Sequence, residues 1–383
     1  MSIKRQIQEV FEELALSLET GVGKRVPIGI TLAGSELGLD VILKAAEEFA
    51  VDNPGAEVVA IGPPVDTFLT LETAEDEQAQ ARKMEELLDE GRIKACVSMH
   101  YNFPLGTATV GKVVTPAKGK EVFLATTTGT PGTQRIPSMV LGTLAGIIAA
   151  KASGIEKPTV GILNLDGARA VERSLRELAD GGYEIHFAES SRADGGAVMR
   201  GNDLLQGSAD ILVTDSLTGN LLQKTLSAFN SGGGYETTGE GYGPGIGPDQ
   251  ERLVFILSRV SGAPVIKGAL KYALRMLQGN WKEVAKREYE AAEKAGLQSI
   301  LAKNEPKKAE QDQEMVPPPE EVVTSEISGI DILELEAAVR VLWREGIYAA
   351  SGMGCTGPII QVSDANLQKA KNILKESGYL ATL

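Results

Sequence analysis

The spacing of apolar and polar positions along this chain changes period many times. From residue 27 onward, short β-branched runs alternate with stretches in which apolar residues recur every three or four positions. Residues 27–32 and 57–61 read as strands. Residues 35–50 place Leu37, Val41, Ala45 and Phe49 on one helical face, with Ser35 as the N-cap. An acidic helix over 74–88 and a third strand over 95–99 follow. The alternation continues through strand 122–126 with helix 138–151, and strand 159–163 with helix 168–178. Strand 184–187 then pairs with a helix near 197–205, and strand 210–214 leads into a helix over 219–229. Strands alternating with helices of this length predict βαβ units. The fold class is α/β, a three-layer, mostly parallel sheet with helices on both faces.

Residues 231–248, glycine-rich throughout, hold neither period and are expected to form a long surface loop. Helices are predicted near 249–259, 266–277 and 281–301. Residues 303–320 are charged and end in Pro317-Pro318-Pro319, a linker composition. The chain thus divides into an α/β body (1–302), a linker (303–320) and a small C-terminal α+β module (321–383). Within the module the pattern predicts strand 321–327, helix 332–343, strands 346–350 and 359–362, and helix 365–377.

Composition narrows the functions open to this chain. A formal charge of -14, from 38 basic and 52 acidic residues, repels polyanions, and no basic stripe compensates it. A nucleic-acid partner is therefore not expected. The N-terminus carries no apolar signal core, and the apolar run 139–150 is too short for a bilayer, so it reads as a buried helix. Two cysteines, Cys96 and Cys355, give neither a disulfide framework nor metal-ligand spacing, which suits a reducing cytoplasm.

Cys355 stands in Gly352-Met353-Gly354-Cys355-Thr356-Gly357-Pro358, between two strand-like runs. Glycines let neighbouring backbone converge, so N–H groups there can stabilise a thiolate and later a thioester oxyanion. The competing reading is a structural cysteine in a tight turn. Cys96, in an apolar strand, reads as a packed core thiol. A Cys–His pair has only His100 and His186 to draw on, and both read as structural.

A second constellation runs from Asp215 through Ser216, Thr218, Gly219, Asn220 and Lys224. A strand ends there and a helix is expected to open near Gly219, offering free N–H groups to an anion. Asn220 and Lys224 are four apart and share a face. A third is the hydroxyl-rich turn with Thr128 and Arg135, suited to phosphate or carboxylate. Each is equally readable as an ordinary capped helix or polar turn. No Walker loop, dinucleotide fingerprint, metal cluster or nucleophile elbow is present in the sequence.

The segment 215–225, with Ser261-Gly262-Ala263-Pro264-Val265-Ile266 downstream, resembles the fatty acid/phospholipid synthesis phosphate acyltransferase family. That resemblance implies the phosphotransacetylase and isocitrate/isopropylmalate dehydrogenase-like fold, and transfer of an acyl group from a thioester to phosphate. Leu32-Ala33-Gly34-Ser35-Glu36 replaces that family's Met-Gly-Gly-Asp run, and the tail has no counterpart there. Body and tail together resemble the component C alpha-subunit family of glycine/sarcosine/betaine reductases. This second resemblance implies that Cys355 carries an acetyl thioester and that inorganic phosphate releases acetyl phosphate. Gly352, Gly354 and Gly357 would support the thiol. Ser216, Thr218, Gly219, Asn220, Lys224, Thr128 and Arg135 would bind phosphate. It also implies a beta subunit, the selenoprotein component A bearing a carboxymethyl group, and an oligomer, with no metal or organic cofactor. Two further readings stand beside it, a general phosphate acyltransferase and a non-catalytic partner-binding subunit.

Overall fold

Valine, isoleucine and alanine runs with few polar interruptions suit strands buried on both faces. The computed structural model describes residue 11 and residues 25–132, 134–192, 196–304, 317–331, 334–354 and 357–380. It opens with β1 (Val26–Thr31), α1 (Leu39–Asp52), β2 (Ala56–Gly62), β3 (Thr70–Thr73), α2 (Glu77–Asp89) and β4 (Ala95–Ser98). Next come β5 (Thr107–Val114), β6 (Glu121–Thr130), α3 (Arg135–Ala152), β7 (Thr159–Leu163), α4 (Ala168–Asp180) and β8 (His186–Phe187). The middle of the chain continues with β9 (Val198–Met199), α5 (Gly201–Gln206), β10 (Ile211–Val213), α6 (Ser216–Ser227), β11 (Gly243–Ile246) and β12 (Val254–Ile256). Three helices, α7 (Ala263–Gln278), α8 (Trp281–Lys294) and α9 (Leu297–Lys303), follow.

These strands form one sheet in the order β3-β2-β1-β4-β12-β11-β5-β6-β10-β7-β8, with β9 beside β7. The first five are parallel, as are β6, β10, β7 and β8. Two antiparallel strands, β11 and β5, join these halves. The mixed α/β architecture with a mostly parallel sheet is therefore as the hydrophobic periodicity predicts. The predicted 139–150 run is part of the longer α3. By length and composition that 18-residue helix could cross a membrane, but most of it is buried against the sheet and neighbouring helices.

The glycine-rich segment departs from expectation. Instead of a surface loop, residues 240–247 are buried, and β11 lies in the middle of the sheet. Glycine is required there: Gly243 has φ +81°, and a Cβ on it would fall 1.7 Å from the Val110 carbonyl oxygen. A strand made of small residues between two close neighbours leaves no alternating pattern to read. The predicted helix over 249–259 is instead β12, whose Val254 and Phe255 are fully buried. Nor is Ser35 a helix cap. Its Oγ accepts from the Leu37 N–H within a turn, and α1 begins four residues later at Leu39.

Asp203, at the start of α5, ties three segments together. Its carboxylate accepts from Ser190 Oγ (2.8 Å), Ser191 N (2.7 Å), Ser191 Oγ (2.8 Å) and Arg200 N (2.8 Å). These bonds outweigh burial and pull its pKa down to about 2. A depressed carboxyl stabilises the fold above its unfolded pKa, and the contribution fades as pH falls through about 2. Asp203→Asn should therefore cost on the order of 2 kcal/mol at pH 7. In urea unfolding that difference should shrink toward pH 2; a constant difference across pH would contradict the assignment.

Beyond residue 316 lie β13 (Ser325–Ser328), α10 (Leu335–Arg344), β14 (Ala349–Gly354), β15 (Gly357–Val362) and α11 (Leu367–Glu376). The order strand, helix, strand, strand, helix agrees with the sequence reading. The antiparallel sheet β13-β15-β14 and both helices enclose their own core of Ile327, Val339, Leu342, Ile360, Val362 and Leu374. Arg173 on α4 reaches this unit, donating to both oxygens of Glu334 at 3.0 and 2.8 Å.

Candidate functional site

Three consecutive antiparallel pairings, β12 with β11, β11 with β5 and β5 with β6, reverse the strand sense an odd number of times. The two parallel halves of the sheet consequently point in opposite directions. The C-terminal ends of β1, β4 and β12 lie level with the N-terminal ends of β6 and β10. Helix α6 leaves the C-terminal end of β10 and runs back along the sheet. Its far end meets the residues that precede β11, where Thr237 N–H donates to Ser227 O at 2.8 Å. Ligands of open α/β sheets collect at strand C-termini, and α6 brings a second set of polar groups to that edge.

The near end of α6 differs from the expectation for a phosphate cradle. The helix opens at Ser216, not near Gly219, and Asp215 is its N-cap. Asp215 accepts from Thr218 N and from Thr218 Oγ1, both at 2.9 Å. Arg135 then donates to Asp215 Oδ2 at 2.8 Å. A carboxylate already occupies the positive end of the helix dipole, and a guanidinium balances it. Gly219 serves packing: a Cβ there would lie 1.8 Å from Thr126 O, so the helix rests directly on β6. Ser216 is exposed. Thr128 exchanges backbone bonds with the Thr109 hydroxyl, at 2.8 and 3.1 Å.

Farther along α6, Asn220 is half-buried and Lys224 exposed. Beyond the far end of α6, next to Thr237, lies a group of polar residues that sequence reasoning did not single out. Glu236 is only 1% exposed, and its Oε1 accepts from the Tyr242 hydroxyl at 3.0 Å. Its Oε2 accepts from Ser261 Oγ at 2.7 Å. Ser258, two residues past β12, lies beside them, its Oγ accepting from Val260 N–H at 3.3 Å. Burial raises the Glu236 pKa, opposed by these hydroxyls and by attraction to Lys224. The backbone locks the same corner: Glu236 N–H donates to Val260 O, and Gly262 N–H to Glu236 O, both at 2.9 Å. Those hydroxyls and N–H groups donate within the corner itself, so the groups placed to meet an oxyanion are the exposed Lys224 ammonium and the half-buried Asn220. The only sequence signal was Ser261 in the segment shared with acyltransferases; Glu236 lay hidden among glycines.

His100 lies two residues past β4 and is exposed, whereas His186 belongs to the outermost strand β8, its Nε2 3.0 Å from Glu184. Cys96 is a core thiol, and burial holds its pKa well above the ordinary value. Strands β14 and β15 pair as far as Gly354 opposite Gly357; Cys355 itself lies outside the described residues. Gly352 precedes that pair on β14. Among the described residues, no group of three His, Cys, Asp or Glu could hold a metal ion. Among the described residues, one cleft of about 460 Å³ is lined by Glu121, Gly239, Glu240, Pro264 and Lys267, and another of about 510 Å³ by Leu253, Gln278 and Trp281.

A family profile described as "Fatty acid synthesis protein" matches residues 26–361. The chain is 56% identical over 383 residues to the glycine/sarcosine/betaine reductase complex component C subunit alpha of Peptoclostridium acidaminophilum, covering 99% of each. A phosphate acyltransferase from Geobacillus sp. (strain WCH70) is 27% identical over 237 residues, covering 56% of this chain and 67% of its own. Among solved structures, a branched-chain phosphotransacylase from Enterococcus faecalis V583 aligns with 66% of this chain and 99% of its own. Its TM-score is 0.48 at 18% identity. The chain belongs to the fatty acid synthesis protein family and to the component C alpha subunits of glycine/sarcosine/betaine reductase complexes.

Proposed function

We propose that this chain transfers an acetyl group from a cysteine thioester to inorganic phosphate, as the alpha subunit of a reductase complex in the reducing cytoplasm. Identity of 56% along nearly the whole length to a component C alpha subunit supports the setting. The observation that supports the chemistry is the exposed Lys224 on α6, close to the helix end where Thr237 and Thr238 bond Ser227 O beside the buried Glu236, Tyr242 and Ser261 corner. Phosphate docks there, beside the ammonium and within reach of Asn220.

The acetyl group rides on Cys355. A phosphate oxygen attacks the thioester carbonyl carbon; the C–O bond forms and the C–S bond breaks. The proton carried by hydrogen phosphate ends on the departing sulfur. No electrons are exchanged, so the step draws on positioning and charge neutralisation alone. The carboxymethyl group reaches this subunit through component A, and a beta subunit completes the assembly.

Lys224→Ala removes the ammonium without touching the buried corner. The KM for phosphate should rise roughly 10- to 100-fold, the worth of one charge-assisted contact, while acetylation of Cys355 proceeds. Acetyl release from the preloaded complex, followed against phosphate concentration, measures this. An unchanged phosphate dependence would remove Lys224 from the site.

A further inference from the structure

Around β6 and β10 the two faces of the sheet are covered by different helices, because successive strand side chains point to opposite sides. On one face Leu222 and Leu226 of α6 pack with Leu124 of β6 and Leu212 of β10. On the other lies α3, where a Cβ on Gly146 would meet Ala125 and Ile211 side chains, and α4 packs against α3. The C-terminal unit meets the body on α4. Arg173 holds both oxygens of Glu334, a forked pair that fixes orientation as well as distance. The body ends at the same place, with Asn304 Nδ2 donating to Ser174 Oγ at 3.0 Å. The unit bearing Cys355 is thus held on the α4 face, whereas Asn220 and Lys224 belong to α6 across the sheet. Helix α6 also carries apolar side chains that stand in solvent. Leu217 is 80% exposed and Leu221 64%, and their spacing places them on one helical face with Lys224. Phe229, two residues past the helix end, is 63% exposed. Large apolar side chains grouped beside a charged group mark a surface that a partner covers.

We propose that the Leu217, Leu221 and Lys224 face of α6 is the docking surface for the C-terminal unit of a second copy of this chain, so that the cysteine of one copy serves the phosphate site of the other. The inference rests on the reading of Cys355 and Lys224 given above. To reach its own α6, the unit would have to break the Arg173–Glu334 pair and pass around the β8 edge of the sheet. Exchange between two copies needs neither step, since each unit stays on its own α4 while the other copy's α6 turns toward it. A two-fold pair completes both sites at once with one set of contacts. The acetyl carbon leaves the sulfur of one copy as it bonds a phosphate oxygen held by the other, and the phosphate proton passes to that sulfur. Covering Leu217 and Leu221 removes apolar surface from water and keeps water from the thioester.

Complementation between two variants tests this. Differently tagged chains, one Cys355→Ala and the other Lys224→Ala, are assembled with the beta subunit, and complexes carrying both tags are isolated. Acetyl phosphate formation is followed at a phosphate concentration below the native KM. Each variant alone should be slower than the native complex by about tenfold or more. The doubly tagged complex holds one intact pairing of Cys355 with Lys224 across copies, and should recover about half of the native rate. No recovery above the single variants, or sedimentation showing one copy of this chain per native complex, overturns the proposal and leaves the reading of both residues standing. Native activity in either variant alone overturns that reading, and the proposal with it. Leu221→Asp charges the surface without entering the core, so it should separate the copies and lower the rate at an unchanged unfolding midpoint. Loss of the beta subunit from that variant, with the copies still paired, assigns the surface to the beta subunit and overturns the proposal.

Discussion

Replacing Cys355 with alanine should abolish phosphate-dependent formation of acetyl phosphate by the assembled complex. Loss of a covalent nucleophile commonly costs 10³-fold or more. The reason is that a thioester, unlike an oxygen ester or a free acid, stays activated toward an incoming phosphate oxygen. Cys355→Ser tests this further, since an acetyl ester on serine should form slowly and resist phosphate. The flanking strands, paired as far as Gly354 and Gly357, hold the two sides of this segment together. Three glycines within six positions let backbone approach the thiol. If the alanine variant still makes acetyl phosphate at the native rate, the chain uses a soluble thioester. Cys355 is then a structural residue.

The second large effect is expected at Gly219. Alanine there places a Cβ 1.8 Å from Thr126 O and 2.6 Å from Thr214 Oγ1. Neither neighbour can yield, because Thr126 is in a central strand and Thr214 Oγ1 donates to Thr126 O at 3.0 Å. The helix itself must move, at a cost of about 1–3 kcal/mol. Lys224 lies little more than one turn farther along and moves with it. A displacement near 1 Å can reduce turnover about 100-fold. Gly219→Ala should therefore lower the unfolding midpoint and raise the KM for phosphate together. Gly234→Ala, whose Cβ meets nothing closer than Ser231 O at 3.5 Å, should change neither. Normal turnover by Gly219→Ala would mean that α6 does not carry the phosphate-binding group.

Much of the fold could be read from the chain, and the exceptions share a physical cause. Strands such as β2 and β7 are bounded by turns and made of β-branched residues, so period and length identify them. Strand β11 is Gly243-Pro244-Gly245-Ile246. Its place between β12 and β5 is dictated by how closely neighbouring backbone approaches, and a residue-type pattern does not encode that. Helix α6 starts at Ser216, three residues before Gly219; a glycine inside a helical run imitates an opening. The cap signal was Asp215 three positions before Thr218, the arrangement the structure uses. Lys224 was legible as a candidate through its spacing from Asn220. Glu236 was not, since its partners lie 6 and 25 positions away and meet it only in the folded sheet. The sequence offers the helix terminus of α6 as an anion site. The electrostatics of that terminus are already satisfied by Asp215 and Arg135.

The most direct test of the central claim is to look for the acetyl group on the protein. The chain, assembled with its partner subunit, is incubated with isotope-labelled acetyl phosphate, digested and examined by mass spectrometry. Acetyl label on the Cys355 peptide, removed by added phosphate or arsenate, is the predicted result and represents the reaction run in reverse. Label absent from that peptide in a demonstrably assembled complex would contradict the account, and would leave this subunit without its proposed acetyl carrier.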